Sequence, residues 1–557
     1  MTAADYNTRL DGLKDSYDLI IIGGGIYGAA MLWEAVSRGL STVLLEKDDF
    51  GSGTSANSLK IIHGGIRYLQ DLDFRRMRKS IQERRALSRI APHLIRPLEC
   101  VIPTYRKIHR HKLALWGAFK LYDCIACDRN DGLGASHRIN AGKIISADEF
   151  RKILPSFEDG VITGAAQWHD AQAINTERLV LAFVMSAVKR GGHACNHLKA
   201  KEYHLKNNHI QGVIAYDELT SAEFLIHAKT VIDCTGPSAM QRGLKENIGL
   251  AAGSGLVRAV NIVVRHHIAD CAVGIRPAQS EDDRLLFITP WRNGSIIGTW
   301  YFSQESPAET LVITKQEIAH CIAQINGILP SLNLSHDDIT LVHLGWLPLG
   351  FDGASKTLQN KFEVFKAAQM NGPEGLFWVQ GVKFTTARHV AAHTIDVVSK
   401  QINKPVQLSV SDATPLYGGE IEDFDVWSGD CQRRYKGRFT AGTIDRLLHN
   451  YGTNIDTIAD YLNKDISYGE PVPGVPEAIK AEISFILDHE MTYTLSDLLL
   501  RRTDLGTFEC PRDETIGYCA DEMAARWCWD QDTKKTNIKA VLGRYPEWGN
   551  SNSLISL

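Results

Sequence analysis

The feature that most constrains this chain is the turn Gly23-Gly24-Gly25-Ile26-Tyr27-Gly28, which follows the apolar run Leu19–Ile22. Gly23, Gly25 and Gly28 have GxGxxG spacing. The first permits a tight turn, the second lets backbone approach a pyrophosphate, and the third lets helix pack close to strand. The pattern predicts a strand over Tyr17–Ile22, a helix over Ile26–Arg38 and a strand over Ser41–Leu45 ending at Glu46. Such β-α-β alternation implies parallel strands in a doubly wound, Rossmann-like α/β sheet. Amides at the helix start, from Ile26 and Tyr27, then meet the phosphate charge. Glu46 suits the two hydroxyls of an unphosphorylated ribose and disfavours NADP. The turn itself does not separate FAD from NAD.

At 557 residues the chain is too long for one core, so two or three domains are expected. Segments 1–70, 160–255 and 376–412 are assigned to a discontinuous dinucleotide domain. Segments 71–159 and 256–375 are assigned to an antiparallel-sheet substrate domain, from strand patterns such as Asn261–Val264 and Ser295–Gly298. After the linker Ala413–Gly419, residues 413–557 carry helical periodicity, notably over Val475–Glu490 and Tyr493–Leu500, and predict an all-α C-terminal domain. A net charge of −4 gives no whole-chain attraction for nucleic acid. Eleven scattered cysteines suit a reducing cytoplasm. No run approaches the roughly 20 apolar residues of a spanning helix. The lone Cys124-Ile125-Ala126-Cys127 lacks partners for zinc or redox work, so no metal is expected.

Four blocks carry a resemblance: YDLIIIGGGIYGA with LLEKDDFGSGTSANSLKIIHGGIRYLQ, VIDCTGP, the pair FITPWRNGSIIGT and GVKFTTAR, and AEISFILDHEMTYTLSDLLLRRTDLG. In these the chain resembles the FAD-dependent glycerol-3-phosphate dehydrogenases, within the D-amino-acid-oxidase-like flavoproteins. The resemblance implies FAD and hydride transfer from the secondary alcohol of glycerol 3-phosphate, or a related phosphorylated or acidic polyol, to flavin N5; no Cys or His stands at an attachment point, so the FAD is expected to be non-covalent. Cofactor contacts are expected from Lys47, Thr54, Ser55, Ser58, Lys60, His63, Gly64, Gly65, Thr235, Gly236, Pro237, Gly381, Val382, Lys383, Phe384 and Thr385, beside the glycine turn and Glu46. His63-Gly64-Gly65 would let backbone approach the isoalloxazine. Amides of Lys383–Thr386 would face the flavin N1–O2 edge.

On the substrate side the resemblance implies Arg67, Tyr68, Thr299, Lys383 and Arg388 as contacts. Leu347 stands where the family has an arginine, and Asn261 where it has a histidine; Arg258 and Arg292 are candidate replacements. Lys383, Arg67 and His63 are the catalytic candidates, with a desolvated Lys383 as base and His343 and His389 as alternatives. The substrate is expected to be anionic and the acceptor a quinone or O2. An amine or amino-acid oxidase, and a flavin-binding protein without dehydrogenase activity, are the competing readings.

Arg75, Arg76, Arg78, Lys79, Arg84, Arg85 and Arg89 make a basic helical face, and Tyr105–Lys112 leads into the Trp/Phe/Leu helix 113–122. Basic residues beside such a helix suit an interfacial membrane contact, with a solvated basic helix the plain alternative. The expected location is therefore cytoplasmic, with peripheral attachment to the inner face of the cell membrane and a homodimer left open. Arg501–Asp504 is expected to bridge the C-terminal and flavin domains through salt bridges.

Overall fold

The computed structural model describes residues 10–106, 112–157, 161–236, 256–277, 284–304, 311–352, 355–359, 361–381, 383–402, 404–548 and 555–556. Pro237, Val382 and residues 107–111 of the basic run lie outside them.

Strand β1 (Leu19–Ile22) has two apolar faces. Leu19 and Ile21 share a core with helix α1 (Ile26–Ser37), while Ile20 and Ile22 enter a separate core on the opposite side. Period-2 alternation with both faces covered is why this strand reads as an unbroken apolar run. It is flanked by β2 (Thr42–Leu45) and then β3 (His193–Cys195) on one side, and by β4 (Val231–Asp233) on the other. Beyond β4 come β6 (Leu376–Gln380) and β5 (Glu363–Lys366). All pairs are parallel except β5 with β6.

Helix α1 packs against α3 (Thr176–Lys189) and α4 (Ala387–Ile402). A four-stranded sheet, Ser16–Tyr17, Glu223–Ala228, His209–Asp217 and Leu198–Lys206, covers the other face. The strand expected over 17–22 therefore divides at Asp18, whose carboxylate accepts the Ser41 N–H at 2.8 Å while Ser16–Tyr17 joins this second sheet.

The larger sheet runs in the order Ser355–Leu358, Ile339–Asp352, Leu256–Val264, Gly294–Gln304, Leu286–Trp291, Ala272–Ile275, Ile95–Thr104, Gly164–Ala173 and Ile61–Ile62. Its pairings are antiparallel except Ala272–Ile275 with Ile95–Thr104. Three expected domain bounds shift, the first because Ile61–Ile62, assigned with 1–70, ends the larger sheet. Gly164–Ala173 pairs here and not in the dinucleotide sheet. Glu363–Lys366, placed by sequence in the substrate domain, is the edge of the dinucleotide sheet.

The C-terminal helices include Phe424–Tyr435, Ala441–Tyr451, Ile455–Lys464, Lys480–His489, Asp513–Trp527 and Gln531–Leu542. The helix expected over Val475–Glu490 starts only at Lys480. Before it, Val475–Ile479 pairs with Pro471–Val472 in a small hairpin turned by Gly474 at φ +80. Pro476 and the β-branched flanks favour extended chain there. The 493–500 helix is a short turn, Leu495–Asp497, passing into a wider turn over Leu498–Arg502.

Buried ion pairs join this domain to the rest. Arg178 of α3 grips Glu490 through two N–H···O contacts of 2.8 Å and also donates to the Arg502 carbonyl. Arg502 in turn binds both oxygens of Asp49, just past β2, at 2.6 and 2.8 Å, and Arg501 reaches the same carboxylate. Asp504 pairs with Arg292 of the larger sheet and with Arg446. The bridge expected of Arg501–Asp504 thus touches both neighbouring domains. No described helix is long and apolar enough to cross a membrane.

Removing one member of a buried pair strands its partner. Arg178→Met leaves the Glu490 carboxylate at 0% exposure without its guanidinium, and should cost about 3–5 kcal/mol. Urea unfolding should show a lower midpoint at unchanged slope; a loss of under about 1 kcal/mol, as for a surface pair, would refute the structural weight given to this contact.

Candidate functional site

At the carboxyl end of β1 the chain turns at Gly23, φ +98, whose N–H donates to the Leu45 carbonyl at 2.8 Å. A side chain at Gly28 would overlap the Gly23 carbonyl, so helix and turn touch directly. Helix α1 starts after Gly25 with no side-chain cap. Of its first amides, Ile26 N–H donates to Ser55 Oγ at 3.0 Å, which brings the Ser/Gly loop onto the helix start. An uncapped helix end reached by a hydroxyl loop is an anion seat.

Glu46 lies at the end of β2. Its two oxygens accept the Gly24 N–H at 2.6 Å and the Asp48 N–H at 2.8 Å. Burial pushes this carboxyl up to about 7, against the pull of those donors. Each oxygen keeps a lone pair for a ribose hydroxyl. Thr235 packs against Gly23, with backbone 3.0 Å from where a Cβ on Gly23 would stand. Its hydroxyl is turned to Asp233, and Gly236 follows at φ +60. Gly23, Gly25, Gly28, Glu46, Ser55 and Thr235 thus converge where a switch-point ligand sits in such sheets.

A second cluster is tied to the first by Tyr27. Its hydroxyl donates to the Lys383 carbonyl at 2.8 Å and accepts the Lys383 N–H at 3.0 Å. The ring lies over Gly381, where any side chain would overlap it. The segment then makes a single turn, Phe384–Thr386, into α4. Thr385 Oγ1 accepts the His63 N–H at 3.2 Å.

The next residue, Gly64, donates its N–H to Asp170, which also binds Arg84 and the Trp168 indole N–H. A side chain at Gly64 would strike Arg84 and the Tyr122 hydroxyl. The glycine is therefore required by the buried Arg84–Asp170 pair beneath the loop, which the expectation of an approach to the isoalloxazine did not include. Gly65, at φ +78, opens the short turn Ile66–Leu69.

That turn places Tyr68 among three cations. Lys383 Nζ lies 4.5 Å from its ring centroid, Arg76 Cζ 5.1 Å and Arg67 Cζ 5.7 Å. The Tyr68 hydroxyl and His63 Nδ1 are both buried without a hydrogen-bond partner among the described residues. Burial, then Arg76 and Arg67, hold the Lys383 ammonium down to about 7. Burial also brings His63 down to about 4, leaving it neutral near pH 7. A neutral amine, a neutral imidazole and fixed guanidinium charge suit proton abstraction beside an anion.

Other expected contacts lie elsewhere. Lys60 is buried against Glu177 at 2.8 Å and Thr176 at 2.7 Å, so it neutralises a carboxylate and does not reach the turn. Ser58 Oγ accepts the Lys60 N–H, and Lys47 is exposed beside Asp48. Thr54 packs against Gly345 and accepts the Trp346 N–H at 3.3 Å. Phe384 packs on the main core. Arg388 forks onto Glu83 and Ser411, bracing α4 against α2 (Phe74–Ile90), which removes it as a substrate contact.

Thr299 and Asn261 are bonded to each other at 2.7 Å, and Leu347 is half-buried opposite Val257. Neither candidate replacement arginine is available: Arg258 is held by Glu317 and Arg292 by Asp504. His343 is buried and held far below the ordinary imidazole range by burial and Lys60; His389, brought down to about 4 by burial, packs its ring on Phe362. The basic face is also partly consumed, with Arg84 on Asp170 and Arg78 and Arg85 on Asp128. Sequence reasoning missed Asp170 as the anchor of the His63 loop and Arg76 beside Tyr68.

Comparison with known proteins shows the family. A family model described as FAD dependent oxidoreductase matches residues 18–396, and one described as the C-terminal domain of alpha-glycerophosphate oxidase matches residues 409–534. A glycerol-3-phosphate dehydrogenase of Synechocystis sp. is 30% identical over 508 residues, covering 88% of this chain and 89% of that protein. An aerobic glycerol-3-phosphate dehydrogenase of Bacillus subtilis is 27% identical, covering 95% and 94%. Among solved structures, the glycerol-3-phosphate dehydrogenase of Bacillus halodurans complexed with FAD aligns with a TM-score of 0.76 at 23% identity, over 97% of each chain, which speaks to the fold.

The Tyr27–Gly381 contact gives a direct test. Gly381→Ala should cost about 1–3 kcal/mol of overpacking, seen as a lower Tm and a weaker FAD dissociation constant. Unchanged values in both would show that the Tyr27 ring has room the structure denies it.

Proposed function

The chain belongs to the FAD-dependent oxidoreductase family, and from that premise we propose that it oxidises the secondary alcohol of glycerol 3-phosphate or a closely related phosphorylated polyol. The observation that carries the proposal is the grouping of Lys383, Arg67 and Arg76 round Tyr68, beside His63 and Thr385 and one residue bond away from the dinucleotide helix through Tyr27. The names of the relatives support the same substrate.

The glycine turn, Glu46 and the Ser55 loop would hold FAD, which would supply a two-electron acceptor for the hydride. The residues of the chain do the rest. Guanidinium groups hold the phosphate. Lys383 Nζ, neutral above about 7, takes the proton of the C2 hydroxyl as the C2 hydride departs, leaving a ketone. His63 contributes a neutral ring at the reacting oxygen, since its depressed basicity keeps charge off it. A simple amine offers these cations no anionic group to hold. Asp73 is already paired with Arg76, and the cations round Tyr68 favour an anionic substrate.

The test is anaerobic bleaching of the bound flavin by glycerol 3-phosphate, with glycerol and amines as controls. Because the active form of Lys383 is the deprotonated one, kcat/KM should rise with pH through about 7 and then level. Lys383→Met should abolish that limb and slow bleaching by roughly 10²-fold or more. A pH-independent rate, or bleaching by amines alone, would refute the assignment.

For the electron acceptor, a membrane-borne quinone is favoured over O2 by one surface. Leu72, Phe74, Trp116 and Leu121 are exposed, with Trp116 at 54%. Phe74 also lines a groove with Arg75, Arg78 and Lys79, and Lys120 lies over the Trp116 ring. Apolar side chains ringed by cations suit the headgroup boundary of an anionic bilayer. The protein should float with phosphatidylglycerol vesicles and lose that partition in Trp116→Ser/Leu121→Ser; hydrogen peroxide formed at the rate of flavin reduction would instead identify O2.

A further inference from the structure

We propose that Arg76 is a specificity-determining residue that, together with Arg67, grips the anionic group of the substrate. The inference deepens the reading above and rests on it for the identity of the substrate. Position 347 is leucine, and Arg258, Arg292 and Arg388 are each committed to a carboxylate of the scaffold. Arg84 is fully buried on Asp170. The guanidinium that remains beside Lys383 and Arg67 comes from the first turn of α2.

Its placement is built and not incidental. Asp73 caps α2 by accepting the Arg76 N–H at 3.0 Å, and the same carboxylate holds the Arg76 guanidinium at 3.1 Å. That second contact points the side chain back over Tyr68, at 5.1 Å from the ring. Arg75, one position earlier, is exposed, and Met77, one later, is core, so the helix phase presents position 76 to the cluster.

Asp73 engages one edge of a group with five N–H donors, and the guanidinium makes no other polar contact among the described residues. Like charges gathered round one ring repel unless an anion joins them. The cluster shows that repulsion, because Arg76 is the leading charge opposing protonation of Lys383. A phosphate bridging Arg76 and Arg67 would relieve it, and would bond the partnerless Tyr68 hydroxyl as well.

The experiment uses the FAD-loaded enzyme and two readouts. Inorganic phosphate is titrated against the flavin absorption spectrum, and anaerobic reduction by glycerol 3-phosphate is timed in parallel. Loss of one charge-assisted contact should weaken phosphate binding, and raise KM, by about ten- to a hundredfold in Arg76→Leu, with Arg76→Lys lying between it and the parent. FAD content and Tm, which the backbone cap at Asp73 keeps intact, exclude a folding defect.

Phosphate affinity and KM within twofold of the parent in Arg76→Leu would overturn the proposal. So would a shift confined to the pH profile of Lys383, which would make Arg76 a tuning charge and not a ligand. Phosphate binding that depends on Arg76 in an enzyme that glycerol 3-phosphate fails to reduce would support the anion site and sink the substrate reading separately.

Discussion

The carboxylate of Asp49 is the point on which the C-terminal helices are joined to the dinucleotide sheet. It lies three residues past Glu46 and receives both Arg501 and Arg502 at 0% side-chain exposure. A buried acid of this kind is stable only while its cations are in place. The C-terminal helices therefore belong to the ribose-binding edge of the dinucleotide sheet in an energetic sense. Asp497 adds to the same network by binding Arg501 and His197, whose basicity is raised mainly by that acid against the cost of burial. Three buried acidic or imidazole ligands here, Asp49, His197 and Asp497, are close enough to hold a metal, but two guanidinium groups already fill that role.

From this scaffold the site inherits two levels of positioning. The dinucleotide turn is set by backbone alone, through glycines, an uncapped helix and a carboxylate pinned by two amides. The substrate cluster is set by side chains underneath it: Arg84 and Asp170 fix the His63 loop, and Arg388 with Glu83 fixes α4 against α2. Charges that sequence alone made candidates for ligand binding are, in several cases, the struts. The difference is burial. A cation below the loop needs a scaffold acid, whereas one at its rim keeps donors for a ligand.

That distinction explains what was legible in the sequence. The glycine spacing, the apolar run before it and Glu46 are local, and local pattern specified the β-α-β unit and the cofactor class. The resemblance in IHGGIRYL and GVKFTTAR picked out the segments that meet at Tyr68. It did not disclose which way long side chains point, so Lys60 and Arg388 looked equivalent to Arg67 and Lys383. Arg76 was hidden for the opposite reason: within a run of seven basic residues nothing marks the one whose helix phase faces the pocket. The break at Asp18 and the hairpin before Lys480 were missed because tertiary pairing overrode a continuous apolar or helical pattern.

The Tyr27 clasp has a consequence for the order in which the molecule comes into being. Its two hydrogen bonds join residues 356 positions apart in the chain. The turn's own hydrogen bonds are local, to Leu45, Glu46 and Ser55, whereas the helix packs on α3 and α4, and closure of loops so long comes late. The lysine proposed to take the substrate proton can therefore be delivered only after everything between has folded. Helix α4, which supports the dinucleotide helix, follows Lys383 after a single turn, so a chain emerging from the ribosome gains the backing of its phosphate-binding turn and the basic nitrogen beside it in one late step.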